Sequence, residues 1–168
     1  MKKKTFIMAL VCAMTFGVVG CTNSNETSKT QVEKIKENGV LVIGTSADYP
    51  PYEFHKEIDG KDTIVGMDID VANEIANELG VTLEIKDMKF EGIIASLQAG
   101  NIDMAVAGLT PTEERKQAVN FTDLYYNGEN IIVTTKENQD KFKTLDDLKN
   151  SKVAVQKSSL QENIAKEL

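Results

Sequence analysis

Arg115 sits in the run Ala107-Gly-Leu-Thr-Pro-Thr-Glu-Glu-Arg-Lys116, directly after the apolar stretch Met104-Ala-Val-Ala107. Thr110 suits a helix N-cap, Pro111 the first helical position, and Glu113 completes a Thr-x-x-Glu capping box. On that reading Arg115 lies within the first two turns, at the electropositive end of the helix, where a cation opposes the dipole. Two chemistries fit it. One is a solvated Arg paired with a neighbouring Glu, worth little. The other is a corner where helix amides and a guanidinium fork converge, which is how proteins hold a carboxylate.

Other chemistry-bearing residues fall at strand ends. In Thr45-Ser-Ala-Asp-Tyr-Pro-Pro-Tyr-Glu-Phe54 the tandem prolines forbid helix and hold an extended loop. Tyr49 and Tyr52 project from it at a strand's carboxyl end, where open α/β sheets bind ligands. Tyr49, displayed before the prolines, reads as a binding residue; Tyr52 reads equally well as packing. Phe90 precedes a helix at another strand end and fits either a core or a ligand-facing wall. Asp68 and Asp70 could suggest metal or acid/base work, but at a helix start they read as a cap and a dipole partner. His55 is the only histidine, in an expected exposed hairpin with no second ligand nearby. The chain contains no Gly-rich phosphate loop and no nucleophile elbow, and nothing in it calls for a cofactor or a metal.

The elements that must position these residues alternate. A short helix around Val32 and Ile35 is expected to end near Gly39. Strands are expected at 40–45, 81–85, 104–109, 131–135 and 153–155, and a hairpin across Asp59-Gly60 joining 52–54 to 63–65. Ile69, Ala72, Ala76 and Leu79 recur at helical spacing before Gly80, predicting a helix over 68–79. Further helices are expected at 91–99, 112–119 and 159–168, with Thr144-x-x-Asp147 capping a short one. The alternation predicts a mostly parallel sheet covered on both faces. After 131–135, a candidate crossing segment, too little follows to bury a second core. The second unit is therefore expected to be incomplete, and the chain a fragment.

Composition narrows the function classes. The net charge of −7 over 168 residues argues against nucleic acid, whose phosphates need clustered Lys and Arg. Lys2 to Lys4 precede an apolar run from Phe6 to Val19, 14 residues long, too short for a membrane span and right for a secretory signal. The run ends Val18-Val19-Gly20-Cys21, which resembles a bacterial lipoprotein signal. We therefore expect residues 1–20 to be a signal peptide and Cys21 to be lipidated, anchoring the protein on the extracytoplasmic face of the cell membrane. Residues 21–30 would form a polar tether. Cys12 and Cys21 are the only cysteines, so none remains for a disulfide.

Three blocks, "GTSADYPPYEF", "VGMDIDVANEIANELG" and "FEGIIASLQAGNIDMAVAGLTPTEERKQAVNFTDLYY", together resemble the extracytoplasmic polar amino-acid-binding proteins of bacterial ABC importers. With a lipoprotein signal in front, the chain is similar to the anchored receptors typical of Gram-positive bacteria. The resemblance runs from about Val40 to Leu168. It implies an α/β fold of the periplasmic-binding-protein type II: two lobes with mixed, mostly parallel sheets, closing on a ligand. Lobe one would span 31–130, a hinge strand 131–135, and lobe two would begin at 136–168. It implies Arg115 as the clamp on the ligand α-carboxylate, Gly108 (backbone) and Thr110 as partners of its polar groups, and Tyr49 and Phe90 as aromatic walls. Ser46 stands where relatives that bind cationic side chains often carry Asp; Asp48 lies two residues on. The family's Q-x-G-T turn corresponds to Gln156-Lys157-Ser158-Ser159, with Ser158 in place of Gly. The implied partners are an amino acid and an ABC permease. The alternatives are a dehydratase-like enzyme on the same fold, for which Asp48 and Glu53 are the nearby acid/base candidates, and a sensor domain of a signalling protein.

Overall fold

The structure is a computed structural model that describes residues 29–168. The expected signal peptide, Cys21 and most of the tether lie outside the described residues. Thr30, at the tether's end, caps the first helix: its hydroxyl accepts from the Glu33 amide and the Glu33 carboxylate takes the Thr30 amide.

Helix α1 (Gln31–Asn38) closes at Gly39, and strand β1 (Val40–Thr45) follows. Strands β2 (Asp48–Tyr49), β3 (Glu53–Ile58) and β4 (Lys61–Val65) form an antiparallel sheet. The β3–β4 hairpin turns at Asp59 and Gly60, both at positive φ, as the Asp-Gly pair predicts. Helix α2 (Met67–Leu79), strand β5 (Thr82–Asp87), a 3₁₀ turn (Phe90–Gly92) running into helix α3 (Ile93–Gln98), and strand β6 (Met104–Ala105) complete the main unit. The main sheet runs β5-β1-β6, all parallel.

β1 is the centre of this unit and is covered on both faces. Leu41 and Ile43 join Ile35, Ile69, Ala72, Ala76 and Val106 in one apolar cluster. Val42 packs on the other side with Ile93, Ile102 and Ala107. A parallel strand buried on both faces needs such a continuous apolar run. The alternating residues of Val40–Thr45 serve helix α2 on one side and α3 on the other. Burying a side chain of this size stabilises the fold by roughly 1.5–3 kcal/mol.

Gly66 fixes how α2 leaves the hairpin. Its φ of 135° suits only glycine, and a Cβ there would collide with the Tyr52 carbonyl. Because nothing intrudes, the Met67 and Asp68 amides bond to the carbonyls of Pro51 and Tyr52. The start of α2 is thereby clasped to the Tyr-Pro-Pro-Tyr loop.

Helices α4 (Glu113–Ala118) and α5 (Leu160–Lys166) are short. The expected capping box at Thr144 and Asp147 is formed on a 3₁₀ turn, Leu145–Leu148. Three expectations are corrected. The strand expected over 104–109 stops at Ala105, because the chain turns away through Gly108 at φ 53°. The segments at 131–135 and 153–155 carry no strand ladder with any described residue, and Ile131 and Val133 stand 79% and 85% exposed. Asp68 is not the N-cap of α2; that position is Gly66, which has no side chain to cap with.

Candidate ligand-binding site

The sequence-nominated residues gather beyond the carboxyl ends of β1, β5 and β6. β1 ends at Thr45, and Ser46 and Ala47 continue into the buried rim. Asp87, the last residue of β5, holds this loop by accepting from the Ala47 amide at 2.9 Å. The Ser46 hydroxyl donates to Asp48 Oδ1 at 3.2 Å, so Ser46 orients a carboxylate. His55 bridges Asp62 and Asp87 on the outer side; hydrogen bonds to Asp87 and then Asp62 raise its pKa.

Tyr49, 48% exposed, stacks on Tyr52 with ring centroids 4.9 Å apart. Tyr126 meets Tyr52 edge-on at 5.3 Å. The hydrogen bond with Tyr126, with burial behind it, pushes the Tyr52 pKa up to about 12. Tyr52 therefore joins packing to the site: it supports Tyr49 from behind. Gly108 lies against the Tyr49 ring so closely that a Cβ would sit 3.2 Å from it, and its left-handed φ also favours glycine.

Arg115 is placed differently from the capping pattern read in the sequence. The cap is Thr112, whose hydroxyl accepts from the Arg115 amide at 3.3 Å. The Thr112 amide bonds back to the Thr110 carbonyl, and this small turn delays the helix by two residues. α4 has only six residues, so little dipole opposes the cation. The side chain reaches back past the helix start. Nη1 donates to the Thr110 carbonyl and Nη2 to the Ser158 carbonyl, each at 2.9 Å. The guanidinium lies over the Phe90 ring, 5.4 Å from its centroid, which makes Phe90 a wall of this corner. Burial lowers the Arg115 pKa, and Glu114 opposes that shift. Among the described residues Arg115 has no carboxylate partner.

The Gln156–Ser159 turn faces this corner. Gln156 Nε2 donates to Asp48 at 3.3 Å, and Lys157 pairs with Glu91 at 3.4 Å. Ser158 adopts φ 62°, a left-handed conformation that favours glycine. The Ser159 hydroxyl is occupied as the cap of α5, accepting from the Glu162 amide.

Beneath the site lie two carboxyls: Asp68, which the sequence suggested as a helix cap, and Glu53, one of the nearby acid/base candidates. Asp68, 0% exposed, accepts from the Gly108 amide at 2.8 Å and the Tyr125 hydroxyl at 3.0 Å. Glu53, 1% exposed, lies beside Asp68, and its Oε2 has no hydrogen-bond partner; burial first, then Asp68, raises its pKa to about 9. That shift, burial first and the neighbouring carboxyl second, favours the protonated form of Glu53 at neutral pH. Tyr125 and Tyr126 were not nominated from sequence; their position before the crossing segment gave no signal of a return to β3 and α2.

Two shallow cavities, of about 410 and 350 Å³, lie beside Pro111–Leu124 and between Leu148 and α5, and neither is lined by a nominated residue. What converges at the strand ends is a cation fork, an aromatic stack and an oriented carboxylate. Together they can hold a small molecule carrying both charges.

Residues 41–168 match the family described as bacterial extracellular solute-binding proteins, family 3. The chain belongs to that family. It is 37% identical over 166 residues to the arginine-binding extracellular protein ArtP of Bacillus subtilis, covering 99% of this chain and 60% of that protein. The fold matches an amino acid ABC transporter substrate-binding protein of Streptococcus pneumoniae bound to L-arginine, with TM-score 0.80 and 44% identity, over 83% of this chain and 58% of that one. It also matches the ancestral amino acid-binding protein AncCDT-1, a precursor of cyclohexadienyl dehydratase, with TM-score 0.78 and 39% identity, over 82% of this chain and 60% of that one. The chain spans about 60% of the length of these relatives. The expected α/β architecture of the binding-protein type is the one found.

Proposed function

We propose that the chain is part of an extracytoplasmic receptor that binds a polar amino acid and delivers it to the permease of an ABC importer. The division into lobe one (31–130), hinge (131–135) and lobe two (from 136) belongs to this reading. The observation that carries it is Arg115: a part-buried guanidinium whose fork rests on the Thr110 and Ser158 carbonyls, with no carboxylate among the described residues to neutralise it. The α-carboxylate of an amino acid fits that need, with Gly108 and Thr110 beside it. Tyr49 and Phe90 would flank the side chain. Asp48, turned by Ser46, offers an acceptor for a cationic side chain, and two of the similar proteins are named for arginine or hold it. L-arginine is therefore the ligand we assign first. Ser158 and Ser159 would contribute backbone groups, since the Ser159 hydroxyl is already a cap.

Thermal unfolding of the full-length protein with each of the common amino acids tests this. L-arginine at a hundredfold excess over its Kd should add about 2.7 kcal/mol and raise Tm most. If no amino acid raises Tm, the receptor reading is wrong.

The dehydratase-like alternative needs an acid or base in reach of substrate. Glu53 has the raised pKa but is 1% exposed, out of a substrate's reach, so the geometry favours binding over turnover.

Membrane attachment through Cys21 completes the proposal, motivated by the charged, short apolar and Gly-Cys series. Multiple acyl chains anchor stably where one does not. Cys21→Ser should move the protein from the membrane fraction to the medium; retention in the membrane with unchanged lipid content would refute the anchor.

A further inference from the structure

Asp68 has no place in the ligand contacts proposed above, yet it is the most completely enclosed charged residue of the main unit. Its two oxygens serve different segments. Oδ2 takes the amide of Gly108, the residue pressed against Tyr49, while Oδ1 takes the hydroxyl of Tyr125. Tyr125 neighbours Tyr126, which closes the stack on Tyr52 and Tyr49. One carboxyl thus ties the turn that leads to Thr110 and Arg115 to the segment that backs the aromatic wall. The start of α2 is itself clasped to the Tyr-Pro-Pro-Tyr loop through the carbonyls of Pro51 and Tyr52, so the tie has a rigid base.

We propose that Asp68 is a positioning residue for ligand binding, fixing Gly108 and the Tyr49–Tyr52–Tyr126 wall relative to each other so that the site is assembled before the ligand arrives. The proposal rests on the receptor reading above. Pre-assembly matters because ordering loops on binding subtracts from affinity. A part-buried amide and hydroxyl left without their acceptor would turn toward water, and Gly108, with its permissive backbone, has little else to hold it in place.

The groups that face Asp68 are few. Glu53 lies on β3 beside it; Tyr125 donates from the segment after α4; Gly108 donates from the turn after β6. Asp48 also acts on Glu53. No cation pairs with Asp68 among the described residues; its two oxygens are met by an amide and a hydroxyl. An interior salt bridge would be expected to carry a Lys or Arg. This arrangement instead spends each oxygen on a structural element of the site.

Two readouts test the idea in the full-length protein, one of them independent of ligand. Amide exchange is followed in the unliganded protein, and binding of L-arginine is followed by titration. Asp68→Ala should speed exchange at Gly108 about 10-fold or more and leave Val42, held by Asp103, unchanged. It should weaken L-arginine binding ~10- to 100-fold, the range for losing a hydrogen bond to a charged group. Asp68→Asn, which keeps one acceptor oxygen, should recover part of both losses. Tyr125→Phe should weaken binding several-fold while Gly108 stays protected. Should the alanine variant not fold, the asparagine and phenylalanine variants decide. Unchanged Gly108 exchange in Asp68→Ala and Asp68→Asn overturns the proposal whatever the protein binds. Arginine affinities within twofold of wild type across the folded variants overturn it as well. Failure of the wild type to bind any amino acid overturns the receptor reading and leaves the exchange result to judge the tie itself.

Discussion

Arg115→Ala is expected to lower amino-acid affinity by roughly 30- to several-thousand-fold in the full-length protein. The figure follows from the cost of removing one member of a desolvated, hydrogen-bonded charge pair, about 2–5 kcal/mol. The geometry supports placing Arg115 in that class. Its guanidinium is part-buried over Phe90, its fork is pre-aimed by the Thr110 and Ser158 carbonyls, and no protein carboxylate among the described residues competes for it. Arg115→Lys should recover only part of the loss, because an ammonium cannot reproduce a planar, two-pronged donor or lie flat on an aromatic ring. The unliganded protein should barely notice the alanine variant, since both carbonyls are exposed and can turn to water. Isothermal titration of the three proteins with L-arginine reads the effect. Near-equal affinities would return Arg115 to the solvated surface.

The second large effect concerns Glu53 and pH. Its pKa is about 9 in the folded chain, against 4.5 for a free Glu side chain. Below pH 4.5 both folded and unfolded chains hold the proton, and the stabilising share of Glu53 is fully present. As pH rises from 4.5 toward 9 the unfolded chain releases the proton and the folded chain keeps it. Stability then falls by about 1.4 kcal/mol per pH unit from this group alone. Once the pH passes the folded pKa the loss is complete and two buried carboxylates face each other. Glu53→Gln keeps a donor toward Asp68 and has nothing to titrate. Urea unfolding at intervals between pH 5 and 9 should therefore show wild type losing stability against the variant by several kcal/mol, roughly tracking that slope. Groups common to both proteins cancel in the difference. Parallel curves would mean that Glu53 ionises normally and the carboxyl pair is misread.

The main unit was legible where local signals agree with the fold. Gly39 and Gly80 end α1 and α2 in the left-handed conformation, Asp59-Gly60 turns the hairpin, and Ile69, Ala72 and Ala76 face β1 at helical spacing. Arg115 was legible as an oddity, and the structure supplies its neighbours. Its helix start was misplaced because Thr110 and Thr112 are both plausible caps, and the choice is made by the Thr112–Thr110 turn. The carboxyl pair was illegible for a different reason. An Asp at a helix start looks like a cap, and what buries Asp68 comes from Gly108 and Tyr125, 40 and 57 residues away. The one local hint was Glu53 between Tyr52 and Phe54 at the start of a strand. The segments at 131–135 and 153–155 have strand-like composition, but a strand forms only beside a partner, and none of the described residues supplies one.

Nothing bears on the central claim more directly than a crystal structure of the full-length protein with L-arginine. The account predicts that the ligand's α-carboxylate takes both prongs of Arg115 at charge-assisted hydrogen-bond distances of about 2.7–2.9 Å. The aliphatic part of the ligand should lie between Tyr49 and Phe90, with its guanidinium toward Asp48. A ligand bound elsewhere, or one whose carboxylate points away while Arg115 still rests on the Thr110 and Ser158 carbonyls, would contradict it.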